Sequence, residues 1–261
     1  KSEAMMTKRI LSIASELQEY LNNSYNYFAE KFCNIKEHKF EIKQEVIGIS
    51  GLFIAKKRYG MKIINDNGVE VNKMMVKGID TVRSNFPKAC GKLLKEVLDD
   101  VLANVPKEKI DERILNFKSS MNTMPIDNIS MPTGVKSLSK YVERKTKNQT
   151  FSTFKSGAPV HVKSAVNYND LLLHFEISKQ YLFISSAEKI KWVYLTKNPL
   201  GIESLAYKGY EDPIEILQYI RDYIDYDKMY DKNLHRKIMM FYEAMGWSKP
   251  VDKKFTLERF F

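Results

Sequence analysis

No uninterrupted apolar run among the 261 residues reaches the roughly 20 positions that a membrane-spanning helix needs. The longest candidate, Val46–Ala55, is too short and is broken by Gly48, Ser50 and Gly51. Residues 1–9 lack the apolar core of a secretory signal. Only two cysteines occur, Cys33 and Cys90, and they form no CxxC pair. That excludes a disulfide framework and leaves two buried, reduced thiols as the expectation. The histidines are also few, and His38, His161, His174 and His235 lie too far apart to give the spacing of a zinc site. A glycine-rich phosphate loop, a nucleophile elbow and an HExxH helix are all missing. An independent enzyme would need something of this kind.

Apolar residues make up 44 % of the chain, enough to bury a real core in one large or two modest domains. The net charge is +10, and its distribution says more than its size. Residues 130–165 hold seven Lys or Arg against one acid, Glu143, whereas 203–231 hold eight acids against Lys208, Arg221 and Lys228. Such a chain can present a phosphate-binding face and a repelling back.

Periodicity predicts a helix over 9–32, with Ile10, Ile13, Leu17 and Leu21 on one face. A strand-like stretch follows at 39–47, and Gly48 and Gly51 in the apolar run after it signal a bulge or a close backbone approach. Asn65-Asp66-Asn67-Gly68 is a turn signal that makes 52–76 a hairpin. Pro87 opens a helix whose stripe is Leu93, Leu94, Val97, Leu98, Val101 and Leu102, and Pro106 closes it. Another helix is expected over 107–121. Residues 131–157 read as a long, basic, functional loop. A helix over 159–175 and a small hairpin made of 190–195 and 202–207 come next. Asp212-Pro213 reads as an N-cap and N1 pair, and helix continues over 225–244 to Gly246. The fold class is therefore α+β.

Lys56-Lys57-Arg58-Tyr59 is the sharpest local feature. On a strand, Lys56 and Arg58 would share one face, and Lys57 and Tyr59 the other. A strand edge defended by lysine explains the same tetrad. In the basic loop, Tyr141, Phe151 and Phe154 alternate with cations, which suits sugars or bases as well as phosphates, although a solvated charged loop would look alike. Phe255, Leu257, Phe260 and Phe261 form an apolar anchor on a basic tail. The candidate carboxylates are weak. Asp99 and Asp100 lie on an amphipathic helix, Asp66 in a turn, and Asp225 and Asp227 on an acidic surface helix.

Ala55-Lys56-Lys57-Arg58-Tyr59-Gly60 resembles the KKRY motif of family B DNA polymerases, which in that family lies on the palm and contacts the template–primer duplex. The likeness continues in order. Residues 77–89, from Lys77-Gly78-Ile79-Asp80-Thr81 through Pro87-Lys88-Ala89, resemble the palm-to-thumb crossing of phage members, with Asp80 where that pattern has Glu. Leu138-Ser139-Lys140-Tyr141 resembles the thumb segment ending in AKY. Ala158-Pro159-Val160-His161-Val162-Lys163 resembles CPFHIRG, with Ala158 for its Cys and Lys163 for its Arg. Lys197-Asn198-Pro199-Leu200-Gly201, with Leu205-Ala206-Tyr207, resembles GNPFG…IAW. The end of the chain is similar to a clamp-binding tail.

The resemblance implies a late-palm remainder over 1–80, with a palm-edge helix and a β-hairpin. It implies a mainly helical thumb with a small β-hairpin over 81–247, and a clamp-binding tail over 248–261. It implies that Lys56, Lys57, Arg58, Tyr59, Lys88, Lys136, Lys140 and Lys163 hold primer–template duplex, and that Phe255, Leu257, Phe260 and Phe261 dock a sliding clamp. The SLYP and DTDS segments, whose aspartates hold two magnesium ions in that family, do not occur here. The expectation is therefore a polymerase part of the T-even bacteriophage type, in the cytoplasm of an infected bacterium. It would carry no cofactor of its own and would be inactive without an N-terminal part bearing the exonuclease, fingers and catalytic palm. A stand-alone nucleic-acid-binding accessory protein and a basic structural protein of a virus are the other readings.

Overall fold

A computed structural model describes residues 3–36, 38–80, 84–143 and 151–250. The fold is α+β. Helix α1 (Glu3–Cys33) leads into strands β1 (Val46–Ala55), β2 (Arg58–Asp66) and β3 (Val69–Lys77), which form an antiparallel sheet in that order. Helices α2 (Lys88–Leu102), α3 (Lys107–Ser120) and α4 (Ile126–Ile129) follow. Strand β4 (Met131–Gly134) joins β5 (Lys189–Tyr194) and β6 (Ser204–Tyr207) in a second antiparallel sheet, with α5 (Val160–His174) between β4 and β5 in the chain. The last helices are α6 (Ile214–Tyr223), α7 (Tyr226–Tyr230) and α8 (Arg236–Ala244), the latter two joined by one π-helical turn, Asp231–His235. No helix among the described residues is long and apolar enough to cross a membrane.

The stripe expected on α2 is its buried face, with Leu94, Val97 and Leu98 fully covered. One apolar cluster runs from Leu52 and Ile79 through this face to Leu171, Val193, Leu205, Ile220 and Phe241. Cys90 belongs to it, and burial pushes its thiol up to about 12. Cys33, the last residue of α1, is exposed rather than buried.

Several sequence expectations change. The stretch 39–45 is not a strand. It runs as a strap along α1, where Asn22 brackets Ile42 by accepting from its N–H (2.8 Å) and donating to its carbonyl (3.1 Å), and Gln18 accepts from the N–H of Gln44. Amide side chains on the helix supply what a neighbouring strand would otherwise supply. The hairpin expected over 52–76 becomes three strands, because the run before Ala55 pairs as well. Its register shifts at Gly48, as the glycines suggested. Asn67 and Gly68 make the β2–β3 turn at φ 51° and 86°, a geometry favouring Asn-Gly.

Pro87 and Pro213 sit at the N-cap positions of α2 and α6, one residue outside the expected place. Pro106 does not end α2, which stops at Leu102, but precedes α3. Asp212 does not cap α6. Its carboxylate accepts the N–H groups of Lys208 and Gly209, pinning the chain as it leaves β6, and burial raises its proton affinity above the carboxylate norm. The loop expected at 131–157 begins as β4, so the small hairpin is three-stranded. Pro132 is tolerated because β4 is an edge strand. Gly246 ends α8 with the Trp247 N–H returning to the Tyr242 carbonyl and the Trp247 ring edge-on to that tyrosine.

The amide bracket on the strap gives a direct test. Asn22→Leu leaves the Ile42 amide without its partner and is expected to cost about 1–3 kcal/mol. Hydrogen exchange at Ile42 should accelerate, and unchanged protection there would show that the strap does not depend on α1.

Candidate nucleic-acid interface

The strand geometry expected for the Lys56–Tyr59 tetrad is wrong in an instructive way. Ala55 pairs with Arg58, so Lys56 and Lys57 are the two-residue turn between β1 and β2, and only Arg58 and Tyr59 belong to a strand. The cations therefore do not alternate between sheet faces but gather at a hairpin tip, where Lys56, Lys57 and Arg58 are all exposed. Lys57 sits at φ 63° in the left-handed region, unusual for a side chain as long as lysine.

Gly78 explains how that backbone is held. Its φ is 66°, and a Cβ placed on it would lie 2.3 Å from the Lys57 carbonyl oxygen and 3.1 Å from Cγ of Arg58. The chain leaving β3 passes directly under the turn, and only glycine fits. The KKRY-like and KGID segments, which look like separate motifs in the sequence, thus form a single structure.

Tyr59 pairs across the sheet with Lys77 on one side and Phe53 on the other. The Phe53 and Tyr59 rings stack at 5.5 Å with an interplanar angle of 28°. Phe53 is 66 % exposed. Sequence reasoning missed Phe53 and Lys77. Both become legible once the turn is placed at Lys56–Lys57, because register then puts Phe53 opposite Tyr59. The tip carries three cations and the adjoining sheet a solvent-facing aromatic pair, a combination suited to phosphates and sugars rather than to a small ligand.

A second basic group lies on the thumb segment. Val135 is buried and exchanges backbone hydrogen bonds with the 187–188 segment, so Lys136 emerges exposed from a fixed point. Val142 and Phe154 form a bridge, and the N–H of Lys155 returns to the Tyr141 carbonyl. That bridge brings Lys140, with Nζ 5.5 Å from the Tyr141 ring centre, towards Phe154, over which Lys163 lies at 5.8 Å. Behind it, the buried Asp170 carboxylate accepts from the N–H and hydroxyl of Ser152. Phe151 packs on the core and against His174 rather than facing outward. Arg144, Lys145 and Lys147 lie outside the described residues.

Lys88 forms a third place, exposed at the start of α2 beside Asp127. Lys191, 2.6 Å away, is the main cause that holds the Asp127 carboxyl below the ordinary range, and Tyr207 and Lys88 contribute to the same effect. His161, half-buried on α5, adds no cation at neutral pH, since burial lowers its proton affinity. Phe255, Leu257, Phe260 and Phe261 lie outside the described residues.

Four of the five carboxylates considered for metal binding have partners of their own. Asp66 pairs with Lys73, Asp100 with Arg113, Asp227 with Lys118, and Asp225 caps α7 through the Lys228 N–H. Among the described residues no three His, Cys, Asp or Glu side chains converge as a metal site.

The family model for DNA polymerase family B matches residues 3–245. No curated protein matches the chain significantly.

The close approach at Gly78 yields a measurable cost. Gly78→Ala places a methyl against backbone at positive φ, and a loss of about 1–3 kcal/mol is expected. Chemical denaturation measures it. A variant as stable as the parent would mean that the turn relaxes freely and is not held by this contact.

Proposed function

The chain belongs to DNA polymerase family B, and on that premise we propose that it is the late-palm and thumb part of an enzyme of the T-even bacteriophage type, which grips the primer–template duplex. The observation that carries this reading is the cationic tip of Lys56, Lys57 and Arg58, fixed by Gly78 and flanked by the Phe53–Tyr59 pair. Lys and Arg at such a tip bind phosphates without regard to sequence, as a replicative enzyme requires. Lys88, Lys136, Lys140 and Lys163 extend the grip along the newly made duplex. They fix position, while base pairing itself reads the sequence.

In this proposal the catalytic carboxylates and their two metal ions come from an N-terminal part with exonuclease, fingers and catalytic palm. Helix α1 supports such a partner. Met6, Ile10, Ile13, Leu17 and Tyr20 recur at alternating steps of four and three, and Tyr27 follows seven residues on, the spacing of a seam that takes another apolar element. All six are outward, 43–69 % exposed, while Gln18 and Asn22 hold the strap and Leu11 borders the cavity between α1 and the sheet. The family match includes α1, which supports reading the seam as part of the polymerase domain, with the catalytic part as the occupant this proposal assigns to it. The Phe255, Leu257, Phe260 and Phe261 tail docks a sliding clamp, and tethering raises processivity through effective concentration. The setting is the cytoplasm of an infected bacterium.

Purified alone, the chain is expected to bind primer–template duplex in a salt-dependent manner and to incorporate no nucleotide. Replacing Lys56, Lys57 and Arg58 together by alanine should flatten the slope of log affinity against log salt by about 2–3. Equal slopes for the two proteins would remove the tip from the interface, and incorporation by the chain alone would overturn the division of labour. The seam is tested separately. Leu17→Glu should change the stability of the isolated chain by no more than about 0.5 kcal/mol. Mixed with the catalytic part, it should support at least tenfold less incorporation than the parent, and full activity would place the partner elsewhere.

A further inference from the structure

Directly paired residues of antiparallel strands project to the same face of a sheet, so register defines what stands beside the Phe53–Tyr59 pair. Tyr59 lies opposite Phe53 on β1 and opposite Lys77 on β3. The three side chains therefore form one row across the sheet, apolar on β1, aromatic in the middle and cationic on β3. Phe53 and Lys77 are exposed, and Tyr59 is half-buried. Arg58, one residue before Tyr59, projects to the opposite face, where it lines a small cavity with Ile54, Leu94 and Phe241. The row is thus a separate element from the cationic tip and carries a cation of its own. Gly51 is the next residue on this face of β1, opposite Met61. A Cβ on Gly51 would stand 3.2 Å from Cε2 of Phe53 and 3.4 Å from Cγ of Met61. The Phe53 ring therefore reclines along its strand over the glycine, with Met61 beside it. What it offers to solvent is a plate without a hydrogen-bonding group.

A nucleic-acid strand repeats sugar and phosphate in turn. The backbones at Phe53 and Lys77 are two strand spacings apart, roughly 10 Å. The long lysine stem can narrow that gap to the span of a sugar and the phosphate next to it. Ribose differs from deoxyribose by its 2′-hydroxyl, a donor and an acceptor. A phenyl ring has no partner for that group, and covering a hydroxyl without a partner costs affinity. The methylene of deoxyribose loses nothing in the same place. We propose that the Phe53–Tyr59–Lys77 row makes the grip selective for deoxyribose: Lys77 takes a phosphate, and the Phe53 ring covers the neighbouring sugar and disfavours a 2′-hydroxyl. This rests on the duplex-binding reading of the tip and adds to it a specificity-determining residue that no charge pattern marks.

The test compares three primer–template duplexes of one sequence, whose primer strand is built from deoxyribose, ribose or 2′-fluoro sugars. The 2′-fluoro strand favours the shape of RNA but has no hydroxyl, so it separates shape from chemistry. Affinity is measured with the full chain over a range of salt, with thermal unfolding alongside. The parent is expected to bind the ribose duplex about fivefold more weakly than the deoxyribose duplex, and the 2′-fluoro duplex within about twofold of the latter. Phe53→Ser should bring ribose and deoxyribose within about twofold of each other. Phe53→Leu, which stays apolar, should keep the preference. Lys77→Ala should weaken all three duplexes alike and flatten the salt slope by about one, leaving the ratio intact. Equal binding of ribose and deoxyribose by the parent, or a preference for ribose, would overturn the inference. So would an unchanged ratio in Phe53→Ser, or a 2′-fluoro duplex bound as weakly as the ribose one, which would make shape the determinant. Running the Lys56, Lys57 and Arg58 triple alanine variant in parallel keeps the two readings apart. It should weaken every duplex and preserve the ratio, whereas a salt slope equal to the parent's would sink the duplex-binding reading of the tip and the inference with it.

Discussion

The contact between Gly78 and the Lys57 carbonyl is the constraint on which the candidate interface depends. A hairpin tip made of two lysines is ordinarily a mobile element, since like charges repel and long side chains lose entropy when ordered. Here the backbone, rather than the side chains, is fixed. The segment leaving β3 lies so close beneath the turn that any Cβ would collide with it. The lysine ammonium groups keep their freedom to follow a phosphate backbone while their origin stays fixed. A sequence-independent grip needs that division, because a rigid cation array would demand one helical register and a free loop would give little orientation.

Much of the fold was legible from pattern alone. The α2 stripe, the Asn67-Gly68 turn and the β5–β6 pair each arise from local periodicity or turn chemistry and appear where expected. The failures have a common cause. The strap at 39–45 has strand-like alternation, yet its backbone partners are Asn22 and Gln18, about twenty residues earlier on a helix. Strand β4 is short and contains a proline, so its identity comes only from Lys189–Tyr194, far along the chain. Asp212 looked like a helix cap and serves the preceding loop instead. Alternation and capping signals show that a group needs a partner; they do not show which one the fold provides.

The candidate site divides the same way. Its cations were legible because charge at a strand end is conspicuous, and resemblance to a known motif placed them in context. Their geometry was not, because Lys56 and Lys57 were read as strand when a positive φ at Lys57 makes them a turn. That one shift moves the cations from two faces to a single tip and brings in Phe53, which no charge pattern marks. The interface therefore depends on register, a property that long-range pairing sets and composition does not reveal.

Electrostatics sharpens the contrast between the two halves of the surface. Acids once open as metal ligands are drawn off by neighbours: Lys73 takes Asp66, Arg113 takes Asp100, and Lys118 takes Asp227. Each such pair is worth little to stability where exposed. Its effect is to cancel the negative charge of each acid where it stands. At Lys140 and Lys163, by contrast, the ammonium groups lie over aromatic rings, which hold a cation without neutralising it. A surface on which acids are matched by cations and several cations are backed by rings keeps an outward positive field, the kind of field that the proposed salt-dependent grip on a duplex requires.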